Sequence, residues 1–77
     1  MDNTTRLKVY YDNNDDSFLQ RLISLVNKRQ YTVKSIFYLS HEDSLIIGVE
    51  QTGSLKVEHL ILQIKNMHSC VEVEVLD

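Results

Sequence analysis

Residues 6–28 read RLKVYYDNNDDSFLQRLISLVNK, and this stretch contains the two patterns that decide the fold. Its first part alternates polar and apolar side chains, so Leu7, Val9 and Tyr11 share one face of a half-buried β-strand. From Phe18 onward the apolar residues recur with a period of 3.6, which predicts an amphipathic helix of about four turns. The polar segment Asp12–Ser17 lies between them and is rich in turn and helix-capping residues. We therefore expect a strand, a polar loop and a helix.

The remainder of the chain contains a second set of such patterns. Residues 31–39 and 44–50 are rich in β-branched and aromatic side chains, and the polar segment 40–43 separates them, so we expect a hairpin. Ser54 is predicted to cap a second amphipathic helix that ends near Met67. The alternation of Val71–Val75 predicts a last strand with its three valines facing inward.

This order of elements predicts an α+β fold, the ferredoxin-like βαββαβ sandwich, in which two helices cover one face of a four-stranded antiparallel sheet. No linker, repeat or low-complexity tract suggests a second domain, so we expect residues 1–77 to form a single domain. The other sheet face is left to solvent or to a partner, and we predict that it carries Lys8, Tyr10, Lys34, Ile36, Tyr38, Ile46, Glu72 and Glu74.

An interaction surface is predicted on that open face. Aromatic side chains are frequent anchors of protein interfaces, so Tyr10, Tyr38 and Ile36 are the expected contact residues, although an ordinary half-covered sheet face fits the pattern equally well. A small core without a disulfide gains stability from self-association, and two open edge strands invite another chain. We therefore expect a homodimer.

Composition excludes several classes of function. The net charge of −3 disfavours nucleic-acid binding, which requires a clustered basic surface. The lone Cys70 cannot form an intrachain disulfide, and with no leader and no long apolar run in the sequence the expected location is the cytoplasm, without a membrane role. The three histidines lack the spacing of paired ligands, so we expect no metal site, no cofactor and no catalytic residue.

Residues 19–36 resemble the signature of the acetolactate synthase small subunits, whose regulatory unit is an ACT domain. The positions that fall in register with that signature are Leu19, Arg21, Arg29, Tyr31, Val33, Ser35 and Ile36. The short chain is similar to the form of this subunit with a single ACT domain.

The resemblance implies a function and a set of site residues. It implies a non-catalytic regulatory subunit of branched-chain amino acid biosynthesis, which binds the catalytic large subunit and a small amino-acid effector such as valine. In this family the effector binds in the loop between the first strand and the first helix, and the matching residues here are Asn14, Ser17 and Phe18. The alternative is a stand-alone ACT module, for amino-acid sensing or protein interaction, with another client.

Five positions in and after the loop depart from the family pattern. Ser17 stands where the family has glycine, and Phe18 follows where a small residue is usual, so we expect a narrowed pocket. Asp15 and Asp16 place negative charge where an effector carboxylate would dock, and they also suit the start of a helix. Gln30 replaces the glycine expected after the first helix, so we expect either a left-handed residue there, which costs about 1 kcal/mol, or a turn of another shape.

Overall fold

The fold is a ferredoxin-like α+β sandwich with the element order βαββαβ. A computed structural model describes residues 4–76. Its elements are β1 (Thr4–Tyr11), α1 (Phe18–Lys28), β2 (Tyr31–Leu39), a short 3₁₀ turn (Ser40–Glu42), β3 (Ser44–Gln51), α2 (Val57–Lys65) and β4 (Cys70–Val75). Among the described residues, no helix is long and apolar enough to cross a membrane.

The four strands form one antiparallel sheet in the order β2-β3-β1-β4, which makes β2 and β4 its edges. The expected alternation holds in β1, where Leu7 and Val9 are fully buried and Tyr11 is nearly so. Ile47 and Leu45 of β3 lie directly opposite Leu7 and Val9 and are also fully buried. The helices pack on this face and leave the other one open.

Both helices contribute fully buried side chains to the core. These are Phe18, Leu22 and Val26 of α1 and Leu60 and Ile64 of α2. The ring of Phe18 stacks on Tyr11 with a centroid distance of 4.7 Å and an angle of 6° between the planes. This contact ties the start of α1 to the end of β1.

A β-bulge in β2 overturns part of the predicted open face. The register against β3 shifts between Val33 and Ser35, so the side chains after the bulge point to the faces opposite to those that strict alternation predicts. Ile36 pairs with the buried Ile47 and packs against the core. Tyr38 also lies on the helix side, and Phe37 takes the open face instead.

A second β-bulge, in β4, shows that the predicted burial of all three valines was wrong. The register against β1 shifts between Tyr10 and Tyr11, which pair with Glu72 and Cys70, so Val71 has no partner and is 74% exposed. Only Val73 of the three valines is buried. A one-residue insertion turns a side chain away from the face that period-2 alternation assigns to it.

The start of α2 also differs from the prediction. The helix begins at Val57 after Lys56, which is extended, and Ser54 lies outside it and does not cap it. Of the two alternatives for Gln30, the structure has the left-handed conformation, with φ of 63°. Its carbonyl accepts hydrogen bonds from the backbone N–H of Thr52, at 2.9 Å, and from the Thr52 hydroxyl, at 2.5 Å. These bonds hold the turn that leads into β2.

Candidate functional site

The loop between β1 and α1 is organised around the carboxylate of Asp15. One oxygen, Oδ1, accepts hydrogen bonds from the backbone N–H of Ser17, at 3.1 Å, and from its hydroxyl, at 2.9 Å. The other, Oδ2, accepts from the Ser69 hydroxyl at 2.7 Å and from the guanidinium of Arg21. Ser17 precedes α1 and its side chain makes no cap bond, so the Asp15 carboxylate orders the residue just before the helix without capping the helix itself.

Arg21 connects this loop to the segment between α2 and β4. Its Nη2 contacts Asp15 and also donates to the carbonyl of His68 at 3.3 Å, while Nε donates to the Ser17 hydroxyl at 3.3 Å. The backbone supplies a further link, because Asp12 N–H donates to the Ser69 carbonyl at 2.9 Å. The two loops at this end of the sheet are therefore held together as one unit.

These donors change the acidity of the Asp15 carboxyl. The hydrogen bond from Ser69, followed by that from Ser17 and the charge of Arg21, lowers the pKa of Asp15 from its usual 3.8 to about 2. Hydrogen bonds to the ionised form and a nearby cation both favour the carboxylate. The group is consequently charged throughout the physiological range.

The structure brings together two of the three residues predicted to bind an effector. Asn14 and Ser17 line an open cavity of about 430 Å³, together with Asp12, Asp15, Arg21, His68 and Ser69. Phe18 does not line it, because the side chain is fully buried against Tyr11. The burial follows from the helix pattern, because an amphipathic helix that starts at residue 18 turns its first apolar side chain into the core. The assignment of Asn14, Ser17 and Phe18 to an effector site stays a prediction.

The predicted interface residues are divided between the two sheet faces. Tyr10 lies on the open face beside Lys8, whose ammonium is 5.1 Å from the ring centroid and 2.7 Å from the Glu42 carboxylate. The hydrogen bond from Lys8 lowers the pKa of Glu42, and the same contact raises the pKa of Lys8. Ile36 and Tyr38 lie across the sheet from this pair, on the helix side.

The edge strand β2 exposes two adjacent aromatic rings. Phe37 is 62% exposed on the open face and Tyr38 is 55% exposed on the helix face. At the other edge Val71 and Val75 are exposed, but Glu72 and Glu74 alternate with them. The largest unburied aromatic area of the described chain is thus at the β2 edge and extends over both faces.

Sequence reasoning missed Phe37 and the partners of Asp15. Phe37 was missed because nothing in residues 31–39 marks the bulge. The contact of Arg21 with Asp15 had a local signal, since a cation within the first turns of a helix can reach a carboxylate just before it. Ser69 is 54 positions from Asp15 in the chain, so that bond depends on the tertiary fold.

No protein-family model and no curated protein matches this sequence. The resemblance of residues 19–36 to the acetolactate synthase small subunits therefore stays a prediction.

Proposed function

We propose that this chain is a regulatory subunit that resembles the acetolactate synthase small subunit, acts as a homodimer and binds the catalytic subunit of a thiamine-dependent acetolactate synthase. The fold agrees with the element order expected for such a domain. In this proposal the chain binds the catalytic subunit and changes its activity through that contact, and it catalyses no reaction itself.

The observation that carries the proposal is the position of Arg21, which belongs to the resembling stretch. Its guanidinium joins the β1–α1 loop to the segment that leads into β4. A regulatory domain needs a mechanical connection between a loop and a surface that contacts a partner. Arg21, Asp15 and Ser69 supply that connection at the end of the sheet.

The geometry favours control through subunit contact over control by an amino-acid effector. An effector carboxylate would seek the N–H groups at the start of α1 and the Arg21 guanidinium, where helix dipole and charge both attract an anion. Asp15 already accepts from the Ser17 N–H and from Arg21. An effector would have to displace it.

Reconstitution with the large subunit tests the function. We expect the wild-type chain to co-purify with that subunit and to change its activity. Arg21→Ala should weaken the change in activity, whereas Lys28→Ala, which removes a cation from the other end of α1, should preserve it. The absence of both a complex and a change in activity would exclude this function and favour an interaction module with another client.

Calorimetric titration with valine tests the effector part separately. We expect no saturable heat with the wild-type chain, because the carboxylate of Asp15 occupies the donors. Saturable binding of valine to the wild type would show that the loop opens and that the effector prediction was right.

A further inference from the structure

We infer that the cavity between the end of α1 and the start of α2 binds a small anion that carries two adjoining phosphate groups. Residues 28–30 line one side of this open cavity of about 410 Å³, and residues 54–56 together with His59 line the other. The cavity lies at the opposite end of α1 from Asp15. The inference goes beyond the proposed function and does not depend on it.

The first argument is that three cations without a carboxylate partner line this cavity. Lys28, Arg29 and Lys56 are exposed, and no carboxylate of the described residues 4–76 lies within 4.0 Å of any of them. The cations that have a carboxylate within that distance do not line the cavity, and they include Lys8, Arg21, Lys34 and Lys65. The protein as a whole has a charge of −3, so its composition does not explain this local excess of positive charge.

The second argument is the position of Lys56 directly before α2. The N-terminal end of a helix is the positive end of its dipole, so a cation is unfavourable there, whereas Lys28 and Arg29 at the end of α1 complement the dipole of that helix. Glu58, in the first turn of α2, does not line this cavity. A bound anion would offset the cost of placing Lys56 at this end of the helix.

The third argument is that hydrogen bonds hold the backbone on both sides of the cavity. The Leu55 carbonyl accepts from the Tyr31 hydroxyl at 2.6 Å and from the side-chain amide of Gln51 at 2.9 Å. The Gln30 carbonyl accepts from the backbone N–H of Thr52, which connects the end of α1 to the segment before α2. The two sides are therefore fixed before a ligand arrives, which lowers the entropic cost of binding.

The charges and donors of the cavity indicate the class of ligand. A phosphate monoester carries about −1.5 to −2 charges at pH 7, so three cations match two adjoining phosphate groups better than one. The Arg29 guanidinium suits phosphate oxygens because it offers two parallel N–H donors. The Ser54 hydroxyl and the Gln30 amide add neutral donors to the lining of the cavity. Its volume lies in the range of small-molecule sites.

Calorimetric titration of the full chain with inorganic pyrophosphate at low salt tests the site. We expect saturable binding to the wild type, and Arg29→Ala and Lys56→Ala should each weaken it about fivefold, the upper range for an exposed ion pair. Both side chains are exposed, so the fold should persist. Lys65→Ala is the matched control, because it removes a cation from the far end of α2, and it should bind as the wild type does.

Other probes test the class of ligand and the place where it binds. Inorganic phosphate should bind about fivefold more weakly than pyrophosphate, because it leaves one cation without a partner. Methyl diphosphate tests the source of the group: tighter binding than that of pyrophosphate would identify the diphosphate end of a larger molecule, weaker binding would identify free pyrophosphate, and both support the inference. Pyrophosphate should shift the amide NMR signals of residues 28–30 and 54–56.

Three results would overturn the inference. The first is the absence of saturable heat with pyrophosphate, and the second is an equal loss of affinity in Lys65→Ala and in the two cavity variants. The third is tighter binding of a hexaglutamate peptide than of pyrophosphate, which would assign the surface to an acidic protein segment. Amide shifts confined to the β1–α1 loop would place the anion at Arg21 and would also contradict the inference.

Discussion

The two edge strands of the sheet differ in whether charged residues lie between their exposed apolar residues. In β2 the exposed Phe37 and Tyr38 are adjacent and uncharged residues flank them, whereas in β4 the exposed Val71 and Val75 alternate with glutamates. Both strands also contain a bulge, so irregularity alone does not distinguish them. From this difference in charge we expect the β2 edge to be more available for pairing with another strand than the β4 edge.

The bulges act differently because of where they lie. In β2 the register shifts at residues 33–35, before the uncharged stretch, and the shift moves Phe37 to the open face. In β4 it lies at the start of the strand and leaves Val71 unpaired next to Glu72. Glu72 also reaches the Lys65 ammonium, at 3.6 Å, at the end of α2. Glu72 of β4 therefore has a charged partner within its own chain.

The largest expected effect comes from placing charge on the β2 edge. Phe37→Lys combined with Tyr38→Lys should weaken dimerisation by about 100-fold, since each interface aromatic contributes roughly tenfold or more. Both side chains are exposed, so the fold should persist. Sedimentation equilibrium of the double variant measures the change.

The matched control for that variant is Val71→Lys combined with Val75→Lys, which places the same two charges at exposed positions of the β4 edge. We expect it to dimerise as the wild type does. Dissociation of this control, with an intact dimer in the β2 variant, would reverse the assignment of the two edges.

Removing the charges from β4 should make the two edges more alike. Glu72→Thr combined with Glu74→Thr removes the like-charge repulsion, and threonine suits a strand. We expect species larger than a dimer to appear at concentrations about tenfold lower than in the wild type, as each 1.4 kcal/mol corresponds to a factor of 10. Light scattering across a dilution series measures this, and unchanged behaviour would show that the glutamates do not protect the edge.

A smaller effect is expected from a methyl group added at Gly48 of β3, which pairs with Ser35 of the edge strand β2. A Cβ on Gly48 would lie 2.6 Å from the Ser35 hydroxyl oxygen, so Gly48→Ala must displace that side chain. We expect the dissociation constant of the dimer to rise about threefold, which is less than the tenfold change that corresponds to 1.4 kcal/mol. Adding Ser35→Ala removes the clashing oxygen and should restore dimerisation. If the double variant still dimerises weakly, Gly48→Ala weakens the dimer by disturbing the fold and not through Ser35.

The smallest effect on stability near neutral pH is expected at Asp15, which accepts a hydrogen bond from Ser69 just before β4. The pKa of Asp15 is lowered to about 2, so its contribution to stability is fully present above about pH 4 and is lost as the pH falls toward 2. Asp15→Asn should have a lower melting temperature at pH 7 and lack the part of the acid dependence that lies between pH 4 and 2. Thermal unfolding at several pH values measures this, and identical profiles for the two proteins would contradict the role of Asp15.

The element order could be predicted from the sequence because period-2 and period-3.6 patterns depend only on local alternation. The left-handed residue at position 30 was one of two alternatives, because its place directly after a helix favours that conformation and its side chain opposes it. The faces of Ile36, Tyr38 and Val71 were not, because a bulge inserts one residue without a compositional signal and inverts or interrupts the alternation that follows.

The candidate site was predicted in part. Asn14 and Ser17 lie at the predicted loop, because turn-forming and capping residues mark the start of a helix in the sequence. The burial of Phe18 and the bond from Ser69 to Asp15 depend on how α1 and the α2–β4 segment pack, and no local pattern contains that information.

Amide hydrogen exchange measured at low and high protein concentration tests the assigned edge most directly. The account predicts that the amides of residues 35–39 become more protected as the concentration rises, while those of residues 71–75 exchange at the same rates. Protection that increases in residues 71–75 alone, or exchange rates independent of concentration in both strands, would contradict it.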